Sequence, residues 1–156
     1  MKKNILIFTL LAITTGCGQS ASIKSSSYYN QRLQIGRQVL IVEIAKTPEA
    51  LKKGLSSRGG MQQNQGMLFE FGLKKQSPAF WMKDMRFNLD LIWIAEGKII
   101  GITADVRTPD VHCQSSTVNC LPTYRPPSPV NQVLEVNAGW AEKNKVKVGD
   151  ETKLLN

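Results

Sequence analysis

The segment from Leu89 to Thr103 constrains the fold more than any other part of the chain. Leu89–Ala95 and Lys98–Thr103 are two apolar runs separated by Glu96-Gly97, a two-residue connection with glycine where a hairpin needs a positive φ. Within these runs, Leu91-Ile-Trp-Ile94 and Ile99-Ile100 show no alternation of apolar and polar residues. Strands of this kind are covered on both faces. The pattern therefore predicts a β-hairpin with a buried interior position, as in a β-sandwich.

Further strands and two short helices are predicted around this hairpin. Runs rich in β-branched or aromatic residues predict strands at Gln38–Ala45, Met67–Phe71, Asn131–Val136 and Thr152–Leu155. Thr47 as N-cap and Pro48 at the first position predict a helix to about Leu55, and Asn137 is expected to cap a second one through Lys143. The chain is therefore predicted to be mainly β, a single domain built as a β-sandwich or a partly closed barrel with two short helices.

The N-terminal residues indicate export. Lys2 and Lys3 precede an apolar run from Ile5 to Ile13, which is far shorter than the roughly 20 residues that a spanning helix needs. Thr14-Thr15-Gly16-Cys17 resembles a bacterial lipoprotein box, in which the cysteine is acylated. The alternative is ordinary cleavage and a secreted product without lipid. The sequence thus predicts a signal peptide at residues 1–16 and a membrane anchor at Cys17.

The segment after Cys17 is rich in serine and lacks an apolar period, which is typical of a flexible tether. We therefore expect a tether at residues 17–31 and a β domain at residues 32–156. Gly18 resembles the sorting signal for the outer membrane, so a cell with two membranes would carry the protein on the periplasmic face of the outer one. Loss of Lys2 and Lys3 lowers the net charge from +8 to +6. In an exported protein this excess suits anionic lipid or cell-wall polymer, and nucleic acid is not an expected partner.

Several motifs occur in one order along almost the whole domain. They are Val42-Glu-Ile-Ala45, Thr47-Pro48-Glu49, Gly54-Leu55, Arg58, Gly66-Met-Leu-Phe69, Phe80-Trp-Met-Lys83, Leu89-Asp90, Val133-Leu-Glu135, Asn137-Ala-Gly139 and Val148-Gly-Asp150. In these motifs the chain resembles the bacterial and archaeal domain of unknown function family 192. The resemblance implies a compact, jelly-roll-like β domain that is often exported. It implies no established activity.

Polar residues interrupt the apolar stretch before the hairpin. In an extended segment Trp81 and Lys83 share one face, and Asp90 enters the next strand after a bend that contains Arg86. A cation, a carboxylate and an indole near a sheet edge would orient a polar ligand, so Trp81, Lys83, Arg86 and Asp90 are the predicted ligand-binding residues. The alternative is an internal ion pair between Lys83 and Asp90, with Trp81 in the core.

A second pair of charged residues has a predicted structural role. Arg58 and Glu135 each lie in a motif that resembles the family, and neither suits apolar surroundings alone. A buried arginine that pairs with a carboxylate usually fixes a loop onto a sheet. The sequence therefore predicts a pair between Arg58 and Glu135.

The long loop from Asp105 to Pro129 contains the remaining cysteines. In an exported protein, Cys113 and Cys120 are expected to form a disulfide. The alternative is a metal site with Asp110 and His112, but the spacing matches no dedicated zinc pattern. No metal and no cofactor are therefore predicted.

The sequence shows no complete catalytic constellation. It lacks a Gly-x-Ser-x-Gly motif and a phosphate-binding glycine loop, and His112 is the sole histidine. Whether the chain is an enzyme stays open. The prediction is an exported, membrane-anchored envelope module that binds a small polar ligand, a glycan or a protein partner. The alternatives are a structural accessory protein of the envelope and a hydrolase.

Overall fold

The computed structural model of the protein describes residues 29–109 and 121–155. The predictions for Cys17, Asp110, His112, Cys113 and Cys120 therefore lie outside the described residues. The strands are β1 (Asn30–Ile35), β2 (Gln38–Ala45), β3 (Gln65–Glu70), β4 (Leu89–Ala95), β5 (Lys98–Val106), β6 (Gln132–Asn137) and β7 (Thr152–Leu155). The described helices are α1 (Pro48–Lys53) and α2 (Trp140–Lys143), and neither is long and apolar enough to cross a membrane.

The strands form one curled sheet. Their order is β5-β4-β6-β3-β2-β1-β7, and neighbours are antiparallel except for β2 and β3, which run parallel. The two ends of this order meet, because Lys98 pairs with Glu151 and the N–H of Thr152 donates to the carbonyl of Gly97 at 2.7 Å. The sheet is therefore a partly closed barrel. The predicted class, mainly β with a single domain and two short helices, is confirmed.

The first strand was not predicted from the sequence. β1 starts at Asn30, inside the stretch assigned above to the tether, and Asn30 is paired with Glu43 on β2. The polar residues at its start hide the strand, but Leu33 and Ile35 are buried and follow the two-residue period of a strand. Gly36, with a φ of +54°, makes the turn into β2.

The inner face of the curled sheet encloses the larger apolar core. Alternate residues of the strands point into it, so Leu40, Val42 and Ile44 of β2 are buried while Val39 and Ile41 are exposed. Trp140 and Ala141 of α2 pack against the same core. Burial of apolar surface here supplies most of the driving force for folding, at about 25 cal/mol per Å².

A second core lies on the outer face of β3, β4 and β6. α1, the segment 71–88 and the segment 121–130 cover this face. Phe80 packs edge-on against Phe69 and Trp93, with ring centroids 5.0 and 5.7 Å apart. Pro127 crosses the sheet at Gly101, where a Cβ would come within 2.9 Å of the proline ring. The middle strands are thus covered on both faces, as their unbroken apolar runs predict.

The local signals for α1 and the hairpin are confirmed, whereas the cap of α2 is not. The hydroxyl of Thr47 accepts from the N–H of Ala50 at 3.2 Å, and Glu96 and Gly97 both have a positive φ. The N-cap of α2 is Gly139. Asn137 instead donates from its amide to the carbonyls of Met61 and Gln62, so it ties the loop before β3 to the end of β6.

Candidate binding site

The segment that carries Trp81 has the predicted alternation. Met82 is buried and Phe80 packs into the outer core, while Trp81 and Lys83 face outward. Trp81 is 43% exposed, which is unusual for the largest apolar side chain. The segment is anchored beside α1, because the hydroxyl of Ser56 donates to the carbonyl of Lys83 at 3.1 Å. Trp81 is therefore a fixed outer wall next to the end of α1.

Asp90 does not join Trp81 and Lys83, so the predicted ligand cluster must be corrected. On β4, Leu89, Leu91 and Trp93 belong to the outer core, which places Asp90 on the inner face. Asp90 has no exposed surface, and its Oδ1 accepts from the N–H of Asp105 and of Gly139 at 3.0 and 3.1 Å. Lys83 is exposed and forms no ion pair with it among the described residues.

Arg58 has a different hydrogen-bond partner from the one predicted. Its guanidinium forms a bidentate pair with the carboxylate of Glu43, in which Nη1 contacts Oε1 and Nη2 lies 2.8 Å from Oε2. Glu43 and Glu135 lie in one row on the outer face, because Met67 of β3 is paired with Glu43 on one side and with Glu135 on the other. Two strand spacings of about 4.8 Å separate their backbones. Arg58 therefore hydrogen-bonds to the nearer carboxylate and acts on Glu135 through its charge.

A cavity of about 130 Å³ opens beside Trp81. It lies between the end of α1, the segment 78–81 and the outer face of the sheet. Its lining residues are Leu51, Lys52, Lys53, Gly54, Leu55, Ser56, Phe69, Phe71, Pro78, Ala79, Phe80, Trp81, Met85 and Glu135. Of the four residues predicted to bind a ligand, Trp81 is the one that lines this cavity.

Glu135 is the acidic residue of the cavity. It is 6% exposed, and within residues 29–109 and 121–155 no hydrogen bond reaches its carboxyl group. Burial raises the pKa of the Glu135 carboxyl to about 8, and the positive charge of Arg58 lowers that pKa part of the way. At pH 7 the group is therefore mainly protonated, and it can donate a hydrogen bond into the cavity.

The remaining predicted residues lie outside this cavity. Lys83 and Arg86 are exposed and do not line it. In the part of the chain that the structure describes, no three His, Cys, Asp or Glu side chains are grouped as metal ligands.

Three charged residues near the site were not predicted from the sequence. Lys52 and Lys53 line the cavity from the last turn of α1, and Glu43 holds Arg58. In the sequence, Lys52 and Lys53 fit the ordinary solvated end of a helix, so they do not indicate a site. The sequence does contain a signal for Glu43, because it lies between two apolar residues of β2. A carboxylate on that strand needs a cation as its partner.

Two solved structures have the same fold as this chain. One, from Sinorhizobium meliloti 1021, is described as a candidate transcription regulator and is 31% identical, with a TM-score of 0.70 over 82% of this chain and 95% of its own. The other, from Novosphingobium aromaticivorans DSM 12444, is a protein of unknown function. It is 24% identical, with a TM-score of 0.72 over 83% of this chain and 89% of its own.

No curated protein matches the chain. Among protein families, the model of DUF192, described as "Uncharacterized ACR", matches residues 31–154. This range includes every described strand except the first residue of β1 and the last of β7. It also includes the cavity and the whole row from Glu43 to Glu135. The chain therefore belongs to the DUF192 family.

Proposed function

We propose that this protein is an exported, lipid-anchored envelope module that binds a small ligand in the cavity beside Trp81. The observation that carries the proposal is Glu135, a buried carboxyl group that lines an open cavity without a hydrogen-bond partner among the described residues. Buried polar groups in folded proteins nearly always have a partner. A ligand in the cavity would supply a polar or charged partner for this group.

The energetics favour a binding role for Glu135 over a purely structural one. Leaving a buried polar group without a partner costs about 1–3 kcal/mol. Asp90, the other buried carboxylate among the described residues, accepts three backbone hydrogen bonds and so has a structural explanation. Within residues 29–109 and 121–155 Glu135 has no such partner, and its neighbours Met67 and Leu91 on β3 and β4 are apolar.

The size of the cavity limits the ligand. Cavities of about 150 Å³ hold a molecule as large as benzene. The cavity of about 130 Å³ therefore has room for one ring or one branched head group, with the rest of a longer ligand outside. A glycan or an envelope protein would accordingly insert a single group between Trp81 and α1.

Export and anchoring rest on the first 17 residues of the sequence. The proposal places the protein on the membrane through lipid at Cys17, on the periplasmic face of the outer membrane if the cell has two membranes. Mass spectrometry of the mature N-terminus tests this part. An acylated Cys17 supports it, and a chain that retains residues 1–16 or starts after Cys17 contradicts it.

Other function classes have weaker support. A hydrolase needs a second titratable group that converges with Glu135, and the other titratable residues of the cavity are Lys52 and Lys53. The Sinorhizobium protein is described as a candidate transcription regulator. The export that we propose for the present chain does not suit that role. A structural accessory protein of the envelope would leave the cavity without a ligand.

The test is a ligand screen by thermal shift on the full-length chain purified in detergent. Wild type is compared with Trp81→Ala, which removes a wall of the cavity, and with Val148→Ala, a matched change at an exposed residue outside it. A compound that stabilises wild type and Val148→Ala but not Trp81→Ala supports the proposal. If every stabilising compound acts equally on all three proteins, the binding function is rejected.

A further inference from the structure

The acidic and basic residues of the cavity lie at different ends. Glu135 projects from the sheet at the buried end and is 6% exposed, whereas Lys52 and Lys53 are exposed on the last turn of α1. Lys52 and Lys53 form no ion pair with any described residue. A ligand that enters past the two lysines thus meets positive charge first and a carboxyl group last.

The walls between these ends are aromatic and polarisable. Phe69, Phe71, Phe80 and Trp81 line the cavity together with the thioether of Met85. The rings of Phe69 and Phe80 pack edge-on, at 85° to each other. Aromatic faces attract cations, and such cages are the usual recognition element for quaternary ammonium groups.

From this arrangement we infer that the cavity takes a compact zwitterion, with its ammonium group held by the aromatic walls and Glu135 and its acidic group held by Lys52 and Lys53. The inference rests on the proposed function and names the class of ligand. A purely anionic ligand would have to place its charge among the aromatic rings, whose faces favour cations. A purely cationic ligand would have to pass the two lysines without compensation.

Protonation of Glu135 couples binding to pH. The empty site is mainly protonated at pH 7, since burial raises the pKa of the carboxyl group to about 8. An ammonium group favours the ionised carboxylate, so its binding releases a proton. Below that pKa, the binding therefore becomes about tenfold tighter for each unit by which the pH rises. Among the described residues, Arg58 acts on Glu135 from the β2 side, where Glu43 is paired with it, and Lys52 and Lys53 line the same cavity from α1. β3, β4 and the segment 78–81 contribute apolar neighbours there.

Three probes of similar size test the contributions of the ligand's two charges separately. Glycine betaine carries both, choline carries the ammonium group alone, and 3,3-dimethylbutanoate replaces the ammonium nitrogen of betaine by carbon. Dissociation constants for the full-length chain in detergent are measured by isothermal titration calorimetry at pH 6, 7 and 9, so that variants at Trp81 can be measured in the same way. We expect betaine to bind at least about tenfold more tightly than either of the other probes, and about tenfold more tightly at pH 7 than at pH 6.

Variants of the protein test whether Glu135 and Lys52 are responsible for the binding of betaine. Glu135→Gln is expected to weaken betaine at least about tenfold at pH 9 and to remove the pH dependence, because it keeps the shape of the side chain and loses the charge. Lys52→Gln is expected to weaken betaine but not choline, and Lys153→Gln, outside the cavity, is the control. If Glu135→Gln does not fold, Trp81→Ala takes its place and must weaken betaine and choline alike.

The inference is overturned if the carbon analogue binds as tightly as betaine, or if the removal of the Glu135 charge leaves betaine binding unchanged. It is also overturned if neither betaine nor choline binds. In that case a compound from the thermal-shift screen that depends on Trp81 would leave the binding function intact. If no compound depends on Trp81, the binding function fails as well.

Discussion

The carboxylate of Asp90 accepts a hydrogen bond from the backbone N–H of Ala141 at 3.0 Å, in the first turn of α2 and on the inner face of the sheet. Two further N–H groups, of Asp105 and Gly139, donate to the same carboxylate. One side chain of β4 thus accepts hydrogen bonds from the backbone N–H groups at the start of α2 and at the irregular end of β5, where Asp105 has a φ of +48°. Asp90 joins three elements that no other side chain connects in this way within the described ranges.

Replacement of Asp90 by alanine is expected to lower the free energy of unfolding by about 3–5 kcal/mol, because it leaves three buried donors without an acceptor. Asp150→Ala is the matched control. Asp150 accepts one backbone hydrogen bond, from Lys147, at an exposed site, and its loss is expected to cost about 1 kcal/mol or less. Urea unfolding measures both. Equal losses would show that the carboxylate of Asp90 has no special structural role.

The stability of the protein is expected to depend on pH through Glu135. The folded state holds a proton there up to about pH 8, whereas the unfolded chain releases it near pH 4.5. The folded state therefore binds more protons between these values, so stability is full below about pH 4.5, falls as the pH rises, and levels off above about pH 8. The total loss is on the order of 5 kcal/mol.

Glu135→Gln removes this dependence. Urea unfolding of wild type and variant between pH 4 and 9 should give a difference in stability that grows in favour of the variant up to about pH 8. Since other groups titrate equally in both proteins, the difference isolates Glu135. A constant difference over this range would contradict the raised pKa.

Arg58 is expected to hold the pKa of Glu135 below the value that burial alone would give, because its positive charge favours the carboxylate. Arg58→Gln should therefore raise that pKa further, which a ¹³C NMR titration of the Glu135 carboxyl group would detect. Lys153→Gln keeps the same change of net charge away from the site and serves as the control. An unchanged pKa in Arg58→Gln would show that Glu43 neutralises the guanidinium.

Gly66 is expected to tolerate no side chain. A Cβ at this position of β3 would lie 2.9 Å from the carbonyl oxygen of Glu135 and 2.9 Å from Cδ1 of Leu134. Gly66→Ala should therefore push β3 and β6 apart and cost about 1–3 kcal/mol. A Cβ at Gly60 has open space around it, so Gly60→Ala should change the stability by less than about 0.5 kcal/mol. Thermal unfolding of the two variants checks the contrast.

The fold could be predicted from the sequence where the signals are local. Thr47 and Pro48 determine where α1 begins, and Glu96-Gly97 determines the hairpin, because each acts over a few residues. The runs without alternation in β4 predicted burial on both faces. The whole of β1 was missed, since its pairing with β2 gives Asn30 and other polar residues a strand conformation that their residue types do not favour.

The candidate site was harder to predict, because it depends on which strands become neighbours. The alternation that places Trp81 outward is local and was predicted correctly. The face of Asp90 depends on the parity of β4 relative to the covering segment, which residue spacing does not determine. The row that joins Glu43 to Glu135 through Met67 requires a parallel pairing of β2 with β3 and an antiparallel pairing of β3 with β6.

The contact between Lys98 and Glu151 has a consequence for how this protein reaches its final structure. β7 pairs with β1 from the opposite end of the described chain, and the residues just before it bridge to β5. Contacts between segments more than 100 residues apart slow folding, because the loop must close before they form. The edges at β1 and β5 therefore stay unpaired until β7 has docked between them. We therefore expect the docking of β7 to be a late and slow step of folding.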